Sequence, residues 1–229
     1  MFLTPIEAAA WFTPRAGELR LGQRVHCLPA VDTAAAYREQ LHRAWDQGQR
    51  IAILGVPESI GPRANLGRGG AEHAFAAALR GLLSLQDNPM IPAQELLLVG
   101  QVDCTDLQQQ GDALRSSDPS ELAQLRALVG RLDQRVQAAL TPIFETGFDV
   151  ILIGGGHNNA YPLISALYQA TNHPVGAVNL DPHADCRTRE GRHSGNGFSY
   201  AYHEGSLRHY HVVGLHEGKN NAEILATLT

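Results

Sequence analysis

With 229 residues, 44% apolar and 18% charged, the chain has material for one large domain with a substantial core and lacks the composition of a disordered segment. Its formal net charge of −5 at pH 7 argues against nucleic acid or an anionic membrane surface as a principal partner. The cysteines, Cys27, Cys104 and Cys186, are odd in number, widely spaced and without a CxxC pair, which fits a reducing cytoplasm and gives no disulfide framework.

The opening stretch, MFLTPIEAAAWFTPRAGELR, has no basic start followed by a long apolar core, so no secretory signal is expected. No apolar run has the length to span a bilayer. VDTAAAYREQLHRAWDQG predicts a helix capped by Asp32 or Thr33 and ended by Gly48, with Tyr37, Leu41, Ala44 and Trp45 on one face. IAILGVP predicts a buried strand, and a glycine-rich loop, ESIGPRANLGRGG, leads into a helix from Ala71 to about Leu85. ELLLVG is a second strand, and a helix opened by Asp118 or Ser120 is expected to run to Leu140. DVILIGG is the third strand, residues 161–170 the next helix and PVGAVNLD the fourth strand. RHYHVVGLHE supplies a fifth, and NAEILATL begins a further helix. Strands without polar alternation, separated by helices, predict a single three-layer α/β/α domain around a mainly parallel sheet covered on both faces. Ligands of such sheets bind beyond the carboxyl ends of the strands.

Two of these strand ends carry imidazoles and carboxylates. DVILIGGG is followed by His157, and PVGAVNL by Asp181, His183 and Asp185. In an extended continuation, residues i, i+2 and i+4 share one side, so the three acid and imidazole groups converge, and His157 joins them if the two strands are neighbours. Two imidazoles and two carboxylates without a thiolate favour Mn, Co, Ni, Fe or Zn, and a carboxylate such as Asp181 can bridge two ions. Gly154, Gly155 and Gly156 would let the backbone pass close to the cluster. Each motif alone has an ordinary structural explanation, a glycine turn before a helix or a polar surface loop. It is their occurrence together at two strand ends that points to metal.

GGGH, DPHADCR and HSGN, with the earlier GVPESIGPRANLGRGGAEHAF, resemble the ureohydrolase superfamily of arginases, agmatinases and formimidoylglutamases from about Ile51 onward. The resemblance implies an arginase-like fold, a binuclear Mn2+ centre and hydrolysis of guanidino or formimino groups by a hydroxide shared between the ions. It also implies a homo-oligomer, trimer or hexamer. It makes His157 and Asp185 ligands of one ion, His183 a ligand of the other, Asp181 a bridge, and Asp185 the catalytic residue that holds the hydroxide. Three departures from the family pattern modify that expectation. A later DxD-type carboxylate element is absent before Thr229, so the C-terminal part of the sheet and part of the site are expected to be missing, leaving one Mn2+ or none. GGGHNN stands in place of GGDH. Phe198 occupies the place of an arginase's proton-shuttling histidine and has no titratable nitrogen; His193 and His203 are expected to be satisfied or solvent-facing.

Arg187 sits where arginases place an Asn that contacts the amino-acid end of the substrate. An arginine there suits a carboxylate and hence a formimidoylglutamate-like small molecule, with Ser194 and Asn196 adding hydrogen bonds. Arg189 and Arg192 read as solvated loop charges. Arg63, Asn65 and Arg68 lie beyond another strand end, where Asn65 is expected to shape the turn. His216 and Glu217 are expected to support the site and Cys186 to be a small core residue. The expected activity is hydrolysis of linear amidine C–N bonds giving glutamate and formamide. The alternatives are an arginine- or agmatine-type hydrolase releasing urea, and a non-catalytic homologue with a partial metal site. A nucleotide-binding domain ranks last, because neither glycine loop has a P-loop Lys or a GxGxxG spacing at a strand–helix junction.

Overall fold

The computed structural model describes residues 3–228. In chain order its elements are β1 (Leu3–Thr4), β2 (His26–Cys27), α1 (Ala34–Asp46), β3 (Ile51–Gly55), α2 (Ile60–Ala64), α3 (Ala74–Leu83) and β4 (Leu96–Val102). They continue with α4 (Thr105–Asp112), α5 (Pro119–Thr146), β5 (Asp149–Ile153), α6 (Ala160–Thr171), β6 (Val175–Leu180), α7 (Gly197–His203), β7 (Leu207–Val213) and α8 (Ala222–Thr227).

Local chemistry accounts for the helix ends. The Thr33 hydroxyl accepts from the Ala36 N–H at 3.1 Å and starts α1, and Gly48, at φ +101°, turns the chain away after it. Asp118 caps α5 by accepting from the Ser120 and Glu121 N–H groups, with Pro119 at the first helical position. Sequence reasoning ended this helix at Leu140, before Pro142. It continues to Thr146 and stops at Gly147, φ +105°. The apolar stripe of Leu132, Val136 and Leu140 carries on through buried Ile143, and that burial outweighs the hydrogen bond Pro142 removes.

Parallel pairing of β3 with both β4 and β5 forms the heart of the main sheet. β2 pairs parallel with the start of β4, and β1 pairs antiparallel with its end. Alternate residues of β3 and β4 feed two cores. Ala52, Leu54, Leu97 and Val99 face α1 and α5, whereas Ile53, Leu96 and Leu98 face Phe75, Leu79 and Leu83 of α3. This is the layered α/β arrangement read from the sequence.

The sheet differs from expectation in one respect. β6 and β7 pair with each other in parallel but not with β5, and form a separate two-stranded ribbon. One face of the ribbon rests on α6 and α7 through Ile164, Phe198, Ala201 and Leu207. The register puts Val178 opposite His211 and Leu180 opposite Val213 on the other face, where Val178 and Leu180 are 72% and 82% exposed. The unbroken apolar strands were expected to be buried on both faces; here no described helix covers the second. No helix among the described residues is long and apolar enough to cross a membrane.

Candidate metal centre and adjoining pocket

Although β5 and β6 are not paired, their carboxyl ends meet. The His157 Nδ1 lies 2.6 Å from Asp185 Oδ2 and 3.5 Å from Asp181 Oδ2. Ligand atoms of these three residues all fall within 4.8 Å of one another. His183 stands on the far side of Asp181, its Nδ1 3.1 Å from Asp181 Oδ1, so one carboxylate lies between two imidazoles.

The convergence does not come from an extended strand, as the alternation argument assumed. β6 ends at Leu180, and the chain then turns. The His183 N–H donates to Asp181 Oδ1 at 2.7 Å, and Asp185 adopts φ +47°, a left-handed conformation costly for a residue with a side chain. Neighbouring elements hold that turn. Asn220 accepts from the Ala184 N–H and donates to the Pro182 and His216 carbonyls, while the Tyr210 hydroxyl donates to the Ala184 carbonyl at 2.7 Å. Asn220 and Tyr210 escaped sequence reasoning, because their link to Pro182 and Ala184 exists only once β7 lies beside β6.

The glycines before His157 serve a different neighbour from the one anticipated. Gly154 (φ +128°) passes so close to β3's exit that a Cβ there would lie 2.7 Å from the Val56 carbonyl, and one on Gly155 (φ +49°) would collide with the Glu58 carboxylate. They permit contact with the loop after β3, not with the acids.

Donation of a hydrogen bond to the Asp185 carboxylate raises the pKa of half-buried His157 above the ordinary imidazole value, against the opposing effect of burial. The ring meets Phe198 edge-on at 5.5 Å, and Phe198 is itself stacked on Tyr210 at 4.3 Å. Phe198 therefore packs the imidazole into place and has no proton to move.

A cavity of about 320 Å³ opens from this cluster. His157, Asp181, His183 and Asp185 line it together with Arg187, Ser194, Asn65, Lys219 and Asn221. Arg187 is exposed on the wall, and its guanidinium has no ion-pair partner among the described residues. Lys219 is the sole lysine of the chain. A larger groove of about 620 Å³ between α1 and α5 gathers no comparable set of acids and imidazoles.

Several individual expectations change. Asn196 was expected to meet substrate, but it is fully buried and its amide is consumed within the loop. Its oxygen accepts from Arg192 Nη1 (2.6 Å) and the His193 N–H, and its nitrogen donates to the Thr188 and Gly191 carbonyls. Arg192, read as a solvated charge, is only 7% exposed and forms a buried ion pair with Asp133 of α5 at 2.8 Å. It also donates to the Asn158 carbonyl and lies between the Tyr161 and Tyr200 rings at 4.5 and 4.9 Å. Burial pushes the Asp133 carboxyl up, and the Arg192 charge pulls it back. His193 is fully buried, its Nδ1 accepts from the Gly195 N–H, and burial drives its pKa down to about 4. It is a neutral ring bonded through Nδ1 alone, its buried Nε2 having no hydrogen-bond partner among the described residues, so the expected satisfied ring is met only in part; His203 faces solvent. Arg63 turns away to the Gly111 and Leu114 carbonyls, whereas Asn65 reaches the pocket wall. Cys186 packs, half-buried, beside the ribbon core and away from the metal cluster, and burial raises its thiol to about 11.

Comparison with known proteins adds a lineage to this geometry. The arginase family profile matches residues 49–228. The formimidoylglutamase of Aromatoleum aromaticum is 28% identical over 183 residues, covering 76% of this chain and 49% of that protein. That of Hahella chejuensis is 28% identical over 199 residues, covering 82% of this chain and 54% of that protein. Among solved structures, Trypanosoma cruzi formiminoglutamase with Mn2+ superposes with a TM-score of 0.61 at 22% identity, covering 92% of this chain and 62% of that one. Bacillus subtilis formimidoylglutamase gives a TM-score of 0.62 at 16% identity, with 94% and 58% covered. The chain thus spans about half the length of the curated relatives it matches.

Proposed function

The chain belongs to the arginase family, and from that premise we infer that it carries the metal site of a hydrolase cleaving linear amidine C–N bonds in a formimidoylglutamate-like substrate. The observation that carries this reading is the meeting of His157, Asp181 and Asp185 at one point, with His183 beyond Asp181, at the mouth of a pocket walled by Arg187, which has no ion-pair partner among the described residues.

The donor set fits a divalent cation. One nitrogen and two carboxylate oxygens within a few ångströms suit a borderline or hard ion such as Mn2+, the ion named in the T. cruzi structure. Two half-buried carboxylates so close together repel each other unless a positive charge lies between them, which a protonated His157 supplies only in part. The strained Asp185 backbone is further evidence that the position of that carboxylate is used. His157, Asp181 and Asp185 would hold one ion, and His183 with the other Asp181 oxygen would contribute to a second. A bound divalent cation lowers the pKa of water toward neutrality and so supplies a nucleophile at ordinary pH.

The chain's own side chains do the rest. Asp185 accepts a hydrogen bond from the attacking water and orients it. The Arg187 fork takes the substrate's carboxylate in bidentate geometry, and the Ser194 hydroxyl adds a hydrogen bond to the same end. Asn196 braces the loop that carries both. N-Formimino-L-glutamate and water would yield L-glutamate and formamide. Phe198 leaves the pocket without a histidine shuttle at that place, which favours a formimino over an arginine substrate. The test is incubation of the Mn2+-loaded protein with N-formimino-L-glutamate, arginine and agmatine, with glutamate and urea assayed in parallel. Glutamate release that falls at least tenfold in Arg187→Ala supports the reading; urea from arginine, or turnover indifferent to Arg187, refutes it.

A further inference from the structure

We propose that Glu58, a residue outside the metal cluster, is the positioning residue that sets both His157 and the Ser194 wall of the pocket. The inference rests on reading His157 as a metal ligand. Glu58 follows β3 and is fully buried. A buried carboxylate costs several kcal/mol unless it is compensated, yet no cation lies within ion-pair distance of Glu58 among the described residues.

Backbone and amide donors replace the cation. Glu58 Oε1 accepts from the Gly156 N–H at 2.6 Å and from Asn159 Nδ2 at 3.0 Å, and Oε2 accepts from the Gly61 N–H at 2.9 Å. Each donor belongs to a segment that carries part of the site. Gly156 immediately precedes His157, and Asn159 follows it by two residues. Gly61 accepts from the Ser194 N–H through its own carbonyl at 3.1 Å, so Glu58 also fixes the opposite pocket wall.

The identity of the residue follows from this count. Three donors converge and no acceptor faces them, so only a group with two accepting oxygens and no N–H satisfies all three. Glutamine would point an NH2 at an N–H, and an apolar residue would orphan the Gly156 N–H beside the ligand. The same arrangement explains the absence of a side chain at residue 155, because a Cβ on Gly155 would strike the Glu58 carboxylate. Glu58 touches neither the pocket nor the cluster, so its effect on metal passes through the peptide that aims His157.

The test uses the 229-residue chain and the variants Glu58→Ala and Glu58→Gln. Amide hydrogen exchange is followed at Gly156 and, as a report of global stability, at Leu98, while Mn2+ affinity is measured by calorimetry. In Glu58→Ala, exchange at Gly156 should accelerate about tenfold more than at Leu98, and Mn2+ should bind about 10–100-fold more weakly. Glu58→Gln, which keeps one accepting oxygen and decides the matter if the alanine variant does not fold, should show about fivefold effects in both readouts. Parallel changes at Gly156 and Leu98, with Mn2+ affinity within twofold of wild type, would overturn the proposal and leave Glu58 a general stabiliser. If the wild-type chain takes up no Mn2+, the metal-site reading fails by itself, and selective exchange at Gly156 still decides whether Glu58 positions this turn.

Discussion

Arg192→Met offers a severe test of the packing behind the pocket. The substitution keeps much of the side-chain volume but removes the positive charge from a fully enclosed ion pair, leaving the Asp133 carboxylate without its partner. Breaking a buried pair from one side costs about 3–5 kcal/mol, because the remaining charge stays desolvated. Losing one of the two bonds to each of the Asn158 carbonyl and the Asn196 amide oxygen acts in the same direction. For a chain of this size the predicted loss corresponds to a fall in Tm of roughly 6–20 °C. The double variant Asp133→Leu/Arg192→Met removes both charges and should recover most of that loss, since replacing an entire buried pair by apolar groups is often close to neutral. Urea unfolding followed by circular dichroism gives all four corners of the cycle, and the structure requires a coupling of about 2–3 kcal/mol. Additive single changes, or an Arg192→Met cost under about 0.5 kcal/mol, would show a solvated loop charge, as the sequence suggested, and refute the buried clamp.

Four further outcomes follow from the geometry. His157 must be neutral to ligate, and its pKa is raised by Asp185, so Mn2+ affinity should climb about tenfold per pH unit below that raised value and level above it in calorimetric titrations. In metal-free protein the same contact stabilises the fold fully below the ordinary value of 6.5, and that stability is lost as pH rises through the raised one, which unfolding measurements across this range will register. Gly155→Ala, at φ +49° and against Glu58, should cost about 1–3 kcal/mol in thermal unfolding, whereas Gly81→Ala, in open space on α3, should be neutral or stabilising. Asn196→Ala should lower stability by about 1–3 kcal/mol by emptying four loop hydrogen bonds, while Ser194→Ala should instead raise KM with little change in Tm.

The layered fold was legible because β3, β4 and β5 are short apolar runs separated by capped helices, and local chemistry at Thr33, Asp118 and Gly48 behaves as it does in isolation. The meeting of His157, Asp181 and Asp185 was legible because the two motifs occur together at two strand ends, although each alone has an ordinary structural explanation. What escaped was set by distant parts of the chain. Arg192 looks the same in sequence whether it meets water or Asp133, 59 residues earlier. Glu58 reads as a loop acid until β3 and β5 pair and bring Gly156 to it. The Asp181–Asp185 segment was expected to extend β6, and only the structure reveals the turn at Asp185 that delivers its carboxylate to His157. The ribbon of β6 and β7 has the apolar residues of a two-sided strand pair, yet Val178 and Leu180 meet no helix among the described residues.

Calorimetric titration of the metal-free chain with Mn2+ at pH 8, run beside Asp185→Asn and His157→Ala, addresses the shared cation site most directly. The account predicts saturable binding by the wild type, weakened at least about tenfold in each variant while the fold is retained. Wild-type binding that is absent, or that persists unchanged in both variants, would contradict it.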